Sequence, residues 1–123
     1  MSDSRRVLLL DDSPLVLSAT RDALENAGYE VNVTDTPAVF FTLLTKHRPD
    51  VALVDVSMPT VQGDSVVWIA RAHQLHTCPI VLFSAKSEAE LKALVATSGA
   101  DGYICKTPDA KALTDAVAAF IKP

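Results

Sequence analysis

Short apolar runs separated by longer segments of mixed polarity set the pattern of this chain. The runs Val7–Leu10, Tyr29–Val33, Val51–Val54, Pro79–Phe83 and Gly102–Cys105 have strand length, and the intervening segments repeat apolar residues at helical spacing. This alternation is a βαβ pattern. Val7–Leu10, Val51–Val54 and Ile80–Phe83 are apolar without a break, as in strands covered by helices on both faces, so the sheet is predicted to be parallel. Strands β1 to β5 are expected at about 6–11, 29–34, 50–55, 79–84 and 101–105, and helices α1 to α5 at about 14–27, 37–47, 63–75, 87–98 and 109–121.

Turn and cap residues punctuate the helices. Ser13-Pro14 and Thr36-Pro37 open two of them, Gly28 and Arg48-Pro49 close them, and Gly63 begins the third. Ser87 with Glu90 three residues on forms a capping box, Gly99 ends that helix, and Asp109 caps the last. In α2, Phe40 and Phe41 are adjacent and cannot both face the sheet, so one is expected partly in solvent. In α3, Val66, Val67 and Ala70 are the expected buried face, which leaves Trp68 outward as a candidate partner contact.

At 123 residues and 49% hydrophobic content, one α/β domain over 1–123 is expected, with no repeat or linker. A net charge of −4 and the lack of a basic run argue against direct nucleic-acid binding. Neither a signal peptide nor a membrane span is legible, so a cytoplasmic domain without membrane insertion is expected. Cys78 and Cys105 lack metal or disulfide spacing and read as two reduced, buried thiols. His47, His73 and His76 read as solvated surface residues without chemistry.

Candidate chemistry collects after the strands. Asp11-Asp12 follow Leu10, Asp55 follows Val54, Ser84 follows Phe83, and Lys106 follows Cys105. All carboxyl ends of a parallel sheet lie on one edge, where ligands bind, so these side chains can share a pocket. Three converging carboxylates repel one another and raise each other's proton affinity unless a cation lies between them. An oxygen-only ligand set suits Mg²⁺ better than zinc. Lys106 and Ser84 offer a cation and a hydroxyl donor to an incoming phosphoryl oxygen, and Asp55 is best placed to act as the nucleophile toward phosphorus.

With these residues in that order and spacing, the sequence resembles the receiver domain of bacterial two-component response regulators over essentially its whole length. The matching positions are Asp11-Asp12, Asp55-Val-Ser-Met-Pro59 with Gly63 beyond, Ser84-Ala85 and Lys106. The resemblance implies a doubly wound (βα)5, flavodoxin-like sheet of order 2-1-3-4-5. It also implies phosphoryl transfer to Asp55 from a histidine kinase or histidine phosphotransfer protein. Asp12, Asp55 and the backbone carbonyl of Ser57 would bind Mg²⁺ directly, with Asp11 acting through water. Ser84 and Tyr103 would be the switch residues, rearranging the α4-β5-α5 face toward an unidentified downstream protein. Ser57 and Lys86 occupy positions that flank attacking water in the family, and they are expected to set the phosphoryl lifetime.

One departure stands beside the lysine. The family commonly has proline there in a cis peptide, whereas this chain reads Lys106-Thr107-Pro108, and a cis bond before threonine costs about 3–4 kcal/mol. Lys106 is nevertheless expected to reach the site. The chain is expected to be a switch with self-catalysed chemistry only, rather than an enzyme; a receiver cut from a longer regulator is the nearest alternative. An aspartate-nucleophile phosphatase would want a second aspartate where Ser57 stands, and a flavin module would want a phosphate loop where Asp11-Asp12-Ser13-Pro14 stands.

Overall fold

The computed structural model describes residues 5–58, 62–75 and 78–121; Pro59 and His76 lie outside them. Its strands are Arg6–Leu10, Glu30–Thr34, Val51–Asp55, Ile80–Ser84 and Gly102–Cys105, and its helices Pro14–Asn26, Pro37–Lys46, Gly63–Ala72, Glu88–Ser98 and Ala110–Ala118. All pairings are parallel, in the order β2-β1-β3-β4-β5. The predicted doubly wound α/β fold and its strand order are therefore present.

The period of two along each strand divides the core. Leu8, Leu10, Ala52, Val54, Ile80 and Leu82 point to one face, where Phe40 and Leu44 of α2, Val66, Val67 and Ala70 of α3 and Leu91 of α4 cover them. Val7, Leu9, Val51, Leu53, Val81 and Phe83 point to the other, under Leu24 of α1 and Leu113 and Val117 of α5. With helices on both faces, β3 and β4 are buried at every position. Phe40 is buried while Phe41 is half-buried, and Trp68 stands 60% exposed on α3.

Helix ends differ from expectation for local reasons. Ser87 and Asp109 are caps outside their helices: Ser87 Oγ accepts from the Glu90 amide, and the Asp109 carboxylate accepts from the amides of Lys111 and Ala112. Ala27 and His47 likewise close α1 and α2 from outside. Helix α3 stops at Ala72, with Gln74 at φ 54°, and α5 stops at Ala118, both short of the predicted ends. Gly99 takes φ 83° and gives α4 its left-handed terminus.

The thiols require a correction. Cys105 is exposed and Cys78 only half-buried. Residue 105 ends β5, the edge strand, and Ile104 rather than Cys105 turns into the core. His47 and His73 are exposed. No helix among the described residues is long and apolar enough to cross a membrane.

Candidate functional site

Register brings the polar strand ends together. Leu10 pairs with Val54, so Asp11 and Asp55 emerge at the same level; Asp55 pairs with Phe83, and Ser84 with Cys105. Asp11, Asp12, Asp55, Ser84 and Lys106 all line one cavity of about 370 Å³, together with Ser13, Ser57, Ala85 and Lys86. Asp11, Asp55 and Ser84 are buried, while Asp12 is exposed at the mouth.

Backbone hydrogen bonds aim these groups. The Asp11 amide donates to the Thr34 carbonyl at 3.1 Å, and Asp11 Oδ1 accepts from the Ser13 amide at 3.0 Å, the turn that leads into the Ser13 cap of α1. Ser57 N donates to Asp55 Oδ1 at 3.4 Å. The Lys106 amide donates to the Ser84 carbonyl at 2.8 Å, which carries β5 past β4 and sends its side chain back over the site.

The Lys106 ammonium lies 2.9 Å from Asp11 Oδ2 and 3.1 Å from Asp55 Oδ1, with the Phe83 ring centroid at 5.5 Å. No peptide bond among the described residues is cis, so Lys106 reaches Asp55 over a trans bond to Thr107. Burial lowers the proton affinity of Lys106, but its contacts with Asp11 and Asp55 outweigh this and hold it above the ordinary lysine value. The Asp55 carboxyl is raised above the ordinary value by burial first and by Asp11 second, against the opposing pull of Lys106 and the Ser57 amide.

One cation faces three carboxylates, and its approach to Asp11 Oδ2 lies off the hydrogen-bond direction, which leaves that buried oxygen without a hydrogen-bond partner. One oxygen from each of Asp11, Asp12 and Asp55 lies within 4.8 Å of the others. Three carboxylates, with one buried oxygen met only by the Lys106 ion pair, fit a hard divalent cation.

The remaining predicted residues sit at the rim. Ser57 is exposed and bridges to Gln62. Ser84 Oγ accepts from the Lys86 amide at 3.1 Å. The Lys86 ammonium lies 3.7 Å from Glu90 Oε2. Tyr103 is half-buried against α4 and donates its hydroxyl to Glu88 Oε1 at 2.5 Å, outside the cavity. Glu88, Glu90 and Phe83 were not singled out for chemistry from sequence; only the Ser87/Glu90 cap spacing marked any of them.

Known proteins resemble this chain at the level of the whole domain. The chain is 33% identical over 100 residues to the transcriptional regulatory protein KdpE of Mycobacterium tuberculosis, a match spanning 81% of this chain and 43% of that protein. It is 30% identical over 122 residues to CseB of Streptomyces coelicolor, spanning 99% and 51%. The CAI-1 autoinducer sensor kinase/phosphatase CqsS of Vibrio cholerae is 30% identical over 119 residues, which is 95% of this chain and 17% of that one. The chain thus spans about half, or less, of these relatives. Among solved structures, chemotaxis protein CheY4 of Vibrio cholerae superposes with a TM-score of 0.87 at 26% identity, covering 96% of this chain and 99% of the other. The profile of the response regulator receiver domain matches residues 7–118, and the chain belongs to that family of two-component signalling domains.

Proposed function

We propose that this domain is a phosphoacceptor switch in which Asp55 takes a phosphoryl group from a histidine kinase or a histidine phosphotransfer protein in the cytoplasm. The observation that carries the reading is the convergence of Asp55 with Lys106, Ser84 and two further aspartates in one cavity. Asp12, Asp55 and the Ser57 carbonyl, with Asp11 through water, would hold Mg²⁺, which would supply positive charge to the transferring group.

The chain's own residues supply the rest. An Asp55 carboxylate oxygen forms the bond to phosphorus as the bond to the donor imidazole nitrogen breaks, and that electron pair returns to the ring. Lys106 exchanges a carboxylate contact for one to a phosphoryl oxygen, and Ser84 turns its hydroxyl to donate to another. That turn breaks the bond Ser84 Oγ accepts from the Lys86 amide, so the segment into α4 moves. Tyr103 then leaves Glu88 for the space beside Ser84, and the α4-β5-α5 face changes its fit for a downstream protein. Lys86 and the Ser57 side chain, at the rim, govern access of water and hence the lifetime of the state.

Incubation with acetyl phosphate and Mg²⁺, followed by mass spectrometry of wild type and Asp55→Asn, tests it. One phosphate-sized gain confined to wild type is expected; none in wild type overturns the proposal.

A further inference from the structure

The Lys86 side chain lies on the ridge between two cavities. It lines the pocket of Asp55, and it also lines a hollow of about 390 Å³ between α3 and α4, walled by Asp64, Glu90 and Leu94. Its ammonium is 3.7 Å from Glu90 Oε2. Glu90 is itself tied down. Its other oxygen, Oε1, accepts from the Ser87 hydroxyl at 3.0 Å, and its amide donates to Ser87 Oγ at 3.2 Å, which closes the capping box of α4.

An exposed ion pair ordinarily contributes little by itself. This one differs in what its cation borders. The Lys86 amide is bonded to Ser84 Oγ, so the lysine is joined by its backbone to a buried residue of the acidic pocket and by its side chain to the helix cap.

We infer that Glu90 is a positioning residue for Lys86: anchored by the Ser87 cap, it holds the ammonium on the α4 side of the pocket and so sets how long a phosphoryl group on Asp55 survives. The inference rests on Asp55 being the phosphoryl acceptor. In hydrolysis a water oxygen bonds to phosphorus, the bond from phosphorus to the Asp55 oxygen breaks, its electron pair returns to the carboxylate, and a water proton passes to solvent. An ammonium close to the phosphoryl group stabilises the phosphorylated form and occupies the path of that water. Glu90 competes for that ammonium. Loss of its charge therefore lengthens the lifetime, and loss of Lys86 shortens it.

The test compares wild type, Glu90→Gln, Lys86→Ala and the double variant, each labelled with acetyl phosphate and Mg²⁺, freed of donor and followed by mass spectrometry. Glutamine keeps an oxygen for the Ser87 hydroxyl, so the cap persists. Glu90→Gln is expected to lose phosphate about two- to fivefold more slowly than wild type, the range an exposed ion pair can shift. Lys86→Ala loses it faster, and the double variant matches Lys86→Ala. An unchanged lifetime in Glu90→Gln overturns the inference, as does the same slowing in the Lys86→Ala background, which would mark a purely structural effect of residue 90. Failure of wild type to take up phosphate overturns the phosphoacceptor reading together with this one. Normal uptake with a neutral Glu90→Gln overturns this one alone.

Discussion

A Cβ placed on Gly63 would lie 1.9 Å from the backbone carbonyl oxygen of Asp55. The first residue of α3 packs against the end of β3, and the Gly63 amide donates to the Val56 carbonyl at 2.9 Å, so neither chain segment has room to retreat. Gly63→Ala is therefore expected to destabilise the domain by about 1–3 kcal/mol, the usual cost of forcing an extra methyl into a packed site. Urea unfolding measures this directly. A midpoint equal to wild type would mean that α3 can slide away from Asp55 at no cost.

The acidic pocket should make stability depend on divalent cations. A cation that binds only the folded state at a hundred times its dissociation constant adds about 2.7 kcal/mol, which corresponds to a rise in melting temperature of about 5–15 °C for a domain of this size. Thermal melts with and without MgCl₂ are expected to show such a rise in wild type and little of it in Asp12→Asn. Identical melts for wild type in both buffers would remove the metal from the proposal.

Charge crowding also predicts that Asp55 costs stability when no metal is bound. Burial and Asp11 raise the folded pKa of Asp55 above its ordinary value of 3.8. A carboxyl with a raised folded value favours the folded state while protonated. Its contribution is fully present below the unfolded pKa and is lost as pH rises through the folded one. In metal-free buffer Asp55→Asn should thus gain on wild type as pH climbs from about 4 toward neutrality. Urea midpoints of the two proteins across that range check it. Parallel curves would show that Lys106 fully offsets the burial of the charge.

The pocket was legible because the fold rule needs only strand ends. Once the runs before Asp11, Asp55, Ser84 and Lys106 read as parallel strands, their carboxyl ends must share an edge. Contacts between elements were not legible. Tyr103 lies on β5 and Glu88 on α4, and their meeting depends on how that helix sits on the strand, which no spacing in the sequence encodes. The Cys105 exposure escaped for a similar reason, since an apolar run marks a strand without telling whether a helix covers its last residue.

The Tyr103–Glu88 contact carries its own signature. The phenol is raised above its ordinary value, first by the hydrogen bond to Glu88, then by burial and by the Glu88 charge. Glu88→Gln should lower the pH at which this tyrosine ionises. An ultraviolet absorbance titration, with Tyr103→Phe subtracted to remove Tyr29, resolves it. A midpoint unchanged in Glu88→Gln would mean that the bond is absent in solution.

The two thiols should react at very different rates. Burial, followed by the nearby Asp101 and Asp50 charges and opposed by Arg71, pushes the Cys78 thiol up from 9.0 to about 11. The thiolate is the reactive species, so at pH 8 only about one Cys78 in a thousand is ionised, against about one in ten for a thiol at its ordinary value. Cys105 is exposed on the edge strand and lacks that shelter. Iodoacetamide at pH 8, read by peptide mass mapping, is expected to modify Cys105 first and Cys78 at least tenfold more slowly. The sign for stability follows from the same shift: a thiol whose folded value is raised keeps its contribution below pH 9 and loses it as pH rises toward about 11, because the unfolded chain ionises first. Cys78→Ser removes that ionisation, so its unfolding midpoint should fall less than that of wild type over this interval. Equal labelling of both cysteines at pH 8 would contradict the half-buried setting of Cys78 between β4 and α3.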